Sequence, residues 1–160
     1  MRQHRGTLPI GGLLLGILLA IAPTAQALPG TTVEGLATVT DDGRIAMDGH
    51  VFRLHGIELA MLGRDCRTTR RPVRCGERSV LVLRDLVNGF VHCRPTGADA
   101  AICTIAGKRM FDDRIDLAER LLIEGFAFAE ENAPARYRRL ERVAQSRKSG
   151  LWGNDFIDIR

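Results

Sequence analysis

VEGLATVTDDGRIAMDGHVFRLHGI, residues 33–57, contains three short β-type runs separated by turn residues. Val33 to Val39 is the first run, Arg44 to Met47 the second and Val51 to Ile57 the third. Asp41-Asp42-Gly43 supplies the first turn, because Asp side chains bond the local backbone and Gly accepts positive φ. Asp48-Gly49 supplies the second, since a two-residue Asp-Gly loop matches the twist of a tight hairpin. The stretch predicts a meander of three antiparallel strands.

Toward the C-terminus the pattern changes. Residues 62–75 read as a loop with five arginines, Arg64, Arg67, Arg70, Arg71 and Arg74, opposed only by Asp65. Gly76 to Asn88 turns helical, with Val80, Leu83 and Val87 on one stripe and Gly89 as its stop. Phe90 to Cys93 and Ala100 to Ile105 read as a strand pair around Pro95-Thr96-Gly97. Ile115 to Glu124 is a second helix with Leu117, Leu121 and Leu122 inward, stopped by Gly125. Phe126 to Ala129 reads as an apolar link, and Pro134 to Ser149 as an arginine-rich last helix closed by Gly150-Leu151-Trp152-Gly153. The order β-β-β-α-β-β-α-α indicates an α+β domain with no internal repeat or linker.

Toward the N-terminus lies a leader. Arg2 and Arg5 precede an apolar run from Leu8 to Ala22, and Ala25-Gln26-Ala27 offers a small-x-small cleavage site. That order is a secretory signal over residues 1–27, cut after Ala27. Its apolar run falls short of the roughly 20 residues that span a bilayer, so no membrane span is expected after cleavage. Residues 28–160 are then one periplasmic or secreted domain, large enough for a single core. The leader holds two of the 23 basic residues and no acidic ones, so the formal charge of +4 falls to +2 after cleavage. Global charge is therefore weak support for a nucleic-acid partner. All four cysteines follow the leader, which in an exported chain suggests two disulfides. Of three possible pairings, Cys66–Cys75 and Cys93–Cys103 are expected, each close in sequence and the second across a hairpin. No Cys/His spacing fits a zinc site.

Taken in order, several strings resemble the staphylococcal nuclease (thermonuclease) family in its exported branch. They are Asp41-Asp42-Gly43-Arg44, then Arg53-Leu54-His55-Gly56-Ile57-Glu58-Leu59-Ala60-Met61, and Cys75-Gly76-Glu77. Leu121-Leu122-Ile123-Glu124-Gly125-Phe126-Ala127 follows, then Tyr137, Glu141 and Ala144, and finally Ser149-Gly150-Leu151-Trp152. The resemblance covers roughly residues 32–153. It implies an OB-type five-stranded β-barrel with three helices, and chemistry in which two carboxylates hold Ca²⁺, a glutamate activates water and two arginines clamp the phosphate.

Most of that set is missing. The second aspartate of the family's Asp-Gly-Asp-Thr turn falls on Gly43 or, in a register shorter by one residue, on Arg44. Arg53 is retained, and the other metal carboxylate becomes Glu58. The threonine, proline and catalytic glutamate become Leu59, Ala60 and Met61. The second arginine falls on Ala98, leaving Arg94 as a substitute from across the turn. The expected function is thus a catalytically impaired binding or interaction module. The alternative is a Ca²⁺-dependent phosphodiesterase acting on DNA or RNA through a rearranged site with Arg53 and Glu58, and Asp41, Asp42 or Glu58 as metal ligands. A third reading is a disulfide-braced scaffold that docks an exported protein partner.

The remaining candidates each have a functional and a bland reading. Arg53 either contacts phosphate or pairs with Glu58 or Asp42. Arg64, Arg67, Arg70 and Arg71 either bind nucleic acid or nucleotide through phosphate or form a solvated loop. Asp41 and Asp42 are most simply turn residues, and His50, His55 and His92 structural ones. Arg136, Arg138, Arg139, Arg142 and Arg147 read as a solvated helix face diluted by Glu130, Glu131 and Glu141, and Trp152 as a helix-end core anchor. The single Tyr, single Trp and six Phe leave few rings for stacking bases. A monomer is expected.

Overall fold

The computed structural model describes residues 31–60, 65–66, 73–107 and 113–153. The expected signal peptide at 1–27, Met61, and the loop arginines Arg64, Arg67, Arg70 and Arg71 lie outside these residues.

The meander forms as the turn residues dictate. β1 (Val33–Leu36) and β2 (Thr38–Val39) divide the first expected run at Ala37. β3 (Ile45–Met47) pairs antiparallel with β2 and with β4 (His50–Leu54). Asp48 and Gly49 take φ of 45° and 76°, the two positive values that a tight hairpin requires between Met47 and His50. The third expected run does not continue to Ile57. It breaks at His55-Gly56, and β5 (Ile57–Leu59) leaves the meander.

β6 (Asp65–Cys66) and β7 (Val73–Arg74) form a small separate pair that leads into α1 (Cys75–Leu86). β8 (Phe90–Pro95) and β9 (Ala100–Ile105) are the expected hairpin, in register Cys93 opposite Cys103. Those two cysteines are disulfide-bonded, with Cα atoms 4.0 Å apart. Cys75 is also disulfide-bonded, while the side chain of Cys66, its expected partner, lies outside the described residues. β10 (Ile115–Asp116) pairs with β9. α2 (Leu117–Glu124) starts two residues later than expected, because Asp116 caps it: Oδ1 accepts from Ala118 N at 2.8 Å and Glu119 N at 3.2 Å.

Residues 127–129 correct a second expectation. They are a strand, β11 (Ala127–Ala129), antiparallel to β5, with all three residues buried. Buried backbone must be hydrogen-bonded, and pairing with β5 does this. α3 (Ala135–Arg147) and a short 3₁₀ turn at Gly150–Trp152 close the chain.

The main sheet runs in the order β1-β8-β9-β4-β3-β2, with β4 and β9 parallel. The architecture is α+β with three helices among the described residues. The expected closed five-stranded barrel is not seen: the hydrogen-bonded path is open between its ends, β1 and β2. Those ends are successive in the chain, separated only by Ala37. The core lies between the sheet and the helices, with Ile45, Phe52, Leu54, Val91 and Ala101 meeting Leu83, Leu117, Leu121, Leu122 and Tyr137. A smaller cluster of Ala60, Cys75, Phe128 and Leu151 joins the end of β5, the start of α1, β11 and the terminal 3₁₀ turn. There Leu151 is fully buried, whereas Trp152 is half-buried and edge-on to Phe128 at 5.3 Å. Leu151 is therefore the deeper anchor.

Candidate functional site

A cleft of about 430 Å³ opens where the β2–β3 turn, β4, β5 and the residue after β11 converge. The turn contributes Asp42, Gly43 and Arg44, and β4 contributes Arg53 and Leu54. β5 and its end contribute Ile57, Glu58, Leu59 and Ala60, and Glu130 completes the wall. The structure thus brings together Asp42, Arg53 and Glu58 of the candidate residues.

Their partners differ from expectation. Arg53 pairs with neither Glu58 nor Asp42. Its Nη1 donates to Glu130 Oε1 at 2.8 Å, and its Nε lies 3.5 Å from Asp99 Oδ2. Strand pairing positions both carboxylates. The Arg53 N–H donates to the Asp99 carbonyl at 2.8 Å, beside the parallel β4–β9 pair. The Glu130 N–H donates to the Gly56 carbonyl at 3.1 Å, extending the β5–β11 pair. The arginine side chain is 43% exposed and Glu130 26%, so the pair adds only about 0.2–1 kcal/mol to stability. Its importance is positional.

Arg44, the other cleft arginine, sits 3.0 Å from Asp42. The Thr40 hydroxyl also donates to Asp42. That hydroxyl first, and then Arg44, hold the Asp42 carboxyl below the usual carboxylate range. Asp41 turns out of the cleft and meets Arg84 of α1 at 2.5 Å. Glu58 is exposed at the lip and makes no ion pair among the described residues. Arg94 lies on the outer face of β8 with Phe90 and His92 and does not line the cleft. Ala98 is exposed in the β8–β9 turn.

Ca²⁺ takes six to eight oxygen ligands. Among the described residues no three His, Cys, Asp or Glu side chains gather closely enough to hold a metal. Asp42 is occupied by Thr40 and Arg44, and Asp41 points elsewhere. Among the described residues, the cleft side chains do not fit the calcium site that the resemblance implies.

The histidines take separate roles. His50 stacks on Phe52 with centroids 5.7 Å apart. His55 Nδ1 is 3.0 Å from the Thr96 hydroxyl, and His92 Nδ1 is 2.8 Å from Glu34. On the last helix, Arg136 pairs with Glu119 at 2.5 Å and Arg138 donates to the carbonyls of Glu131 and Ala133. Arg139, Arg142 and Arg147 are exposed. Glu141 does not dilute that face: it is buried, with Oε1 accepting from Ala129 N at 3.3 Å.

Sequence reasoning missed Glu130, which lines the cleft, and Asp99, which meets Arg53 from beside it. Glu130 is 77 positions from Arg53, and no local pattern links them. A pairing of 57–59 with 127–129 was the one signal that leads to it, and three buried residues carry too little periodicity to show it.

No protein-family model matches the chain, and no curated protein does either.

Proposed function

We propose that this chain is an exported, nuclease-like domain of the OB type that no longer cleaves phosphodiesters and acts as a binding or interaction module. The observation that carries this is the capture of Arg53, the one retained phosphate-clamp residue, by Glu130 at 2.8 Å and Asp99 at 3.5 Å. An arginine whose donors already face two carboxylates is poorly placed to stabilise charge that develops on a phosphoryl group. Met61 offers no base, and Gly43 or Arg44 replaces a metal ligand. Together these losses remove proton transfer, metal binding and one electrostatic donor.

The OB-type reading is supported by the strand order, whose two ends are halves of one run interrupted at Ala37. A curled sheet brings such ends together, and barrels of this kind present one face to oligonucleotides or sugars. Export is supported by the leader-like order of residues 1–27 and by the Cys93–Cys103 disulfide. The partner class is a nucleic acid, a nucleotide or an exported protein.

The second reading, a Ca²⁺-dependent phosphodiesterase with a rearranged site, is favoured by one observation: Arg53, Glu58 and Asp42 share a cleft. One experiment separates the two. The purified chain is incubated with single-stranded DNA and RNA with and without Ca²⁺, beside an oligonucleotide-binding curve titrated with salt. The proposal expects no Ca²⁺-dependent cleavage. Chelator-sensitive cleavage abolished by Arg53→Ala and Glu58→Ala would overturn it in favour of the enzyme.

A further inference from the structure

We propose that Glu130, assisted by Asp99, is a built-in occupant of the Arg53 anion site and makes this cleft reject phosphate esters. This rests on the nuclease-like reading, which makes Arg53 the phosphate clamp.

A guanidinium offers two edges that each present a parallel pair of donors: Nε with Nη2, and Nη1 with Nη2. Phosphate recognition by arginine gains its strength and geometry from using one such edge whole. In this cleft Glu130 takes Nη1 at 2.8 Å and Asp99 faces Nε at 3.5 Å. One donor of each edge therefore faces a carboxylate, and an incoming phosphate meets an interrupted edge beside two negative charges.

The backbones that carry both occupants are held in place, although the Asp99 side chain is itself 54% exposed. Asp99 is tied through its carbonyl to the Arg53 N–H, and Glu130 through its N–H to Gly56. Withdrawing either carboxylate by a backbone shift breaks a hydrogen bond that continues a strand pair. Arg44 cannot compensate, because Asp42 holds it at 3.0 Å in the same cleft. Glu130 is thus a specificity-determining residue whose effect is exclusion.

The test removes the charges and keeps the shapes. Wild type, Glu130→Gln and Asp99→Asn/Glu130→Gln are titrated with inorganic phosphate and with a short 5′-phosphorylated oligothymidylate at low salt. The double variant is expected to bind inorganic phosphate about tenfold more tightly than wild type. Adding Arg53→Gln is expected to abolish the gain, and the Arg53 Nε–H resonance is expected to move with phosphate only when the carboxylates are neutral. If the double variant does not fold, Glu130→Gln alone is expected to show the larger part of the gain. Equal affinity in wild type and the folded charge-neutral variants overturns the inference, as does a gain that survives Arg53→Gln. Ca²⁺-dependent cleavage by wild type would instead overturn the non-catalytic reading and leave these binding comparisons standing.

Discussion

Gly43 closes the β2–β3 turn at φ +78°, and a Cβ placed there would lie 2.3 Å from Leu59 Cδ1 and 3.3 Å from Val80 Cγ2. Left-handed backbone costs a side-chain-bearing residue about 1–3 kcal/mol, and here the space is also filled. The two positions that the resemblance aligns with the family's second aspartate, Gly43 and Arg44, are therefore physically unequal. Restoring it as Gly43→Asp is expected to cost about 1–3 kcal/mol. Arg44→Asp, on a half-buried residue with an exposed ion pair, should stay within about 1 kcal/mol. Urea unfolding of the two variants checks this, and equal midpoints would refute the packing account. That Met61 and Ala98, the positions the resemblance aligns with a base and an arginine, carry neither was readable from residue identity alone. The partners of Arg53 were not, because residue identity says nothing about which distant carboxylate a side chain meets.

Two polar contacts tie α3 to α2 and its cap: the Arg136–Glu119 ion pair and a bond from Tyr137 to Asp116. The Tyr137 hydroxyl donates to Asp116 Oδ2 at 2.8 Å, while Asp116 Oδ1 caps α2. Burial first, and then the bond to Asp116, raise the Tyr137 phenol well above the ordinary tyrosine value. A raised folded-state value means that the neutral phenol stabilises the fold. That contribution is complete below the ordinary tyrosine pKa of about 10 and is lost as pH rises beyond it. Tyr137→Phe is expected to cost about 1 kcal/mol at neutral pH. It should also flatten the fall in stability above about pH 10 relative to wild type. Unfolding curves at neutral and alkaline pH measure both effects, and Tyr137 is the chain's one tyrosine. A wild-type slope as shallow as the variant's would contradict this account. The helices were legible because Leu117, Leu121 and Leu122 repeat at helical spacing ahead of Gly125. β5 and β11 were not, since three-residue strands have no usable period and their partner lies about 70 positions away.

Across the whole molecule, the Cys93–Cys103 disulfide braces the central β8–β9 hairpin from within the core, where both cysteines are buried. Closing a short loop in the unfolded chain contributes about 2–3 kcal/mol, so Cys93→Ala/Cys103→Ala should lower stability by at least that amount. A urea midpoint unchanged from wild type would show that the hairpin needs no brace. The sequence by itself determined what depends on near neighbours. The Asp48-Gly49 hairpin, the helix stripes and the pairing of cysteines ten positions apart all follow from local composition and spacing. Only the tertiary structure decided that the sheet path stays open between β1 and β2, that β5 leaves the meander for β11, and that Glu130 and Asp99 reach Arg53. The reason is the same in each case. Long-range pairing is set by which buried backbone and charged groups must find partners once the core has closed, and that depends on the path of the whole chain.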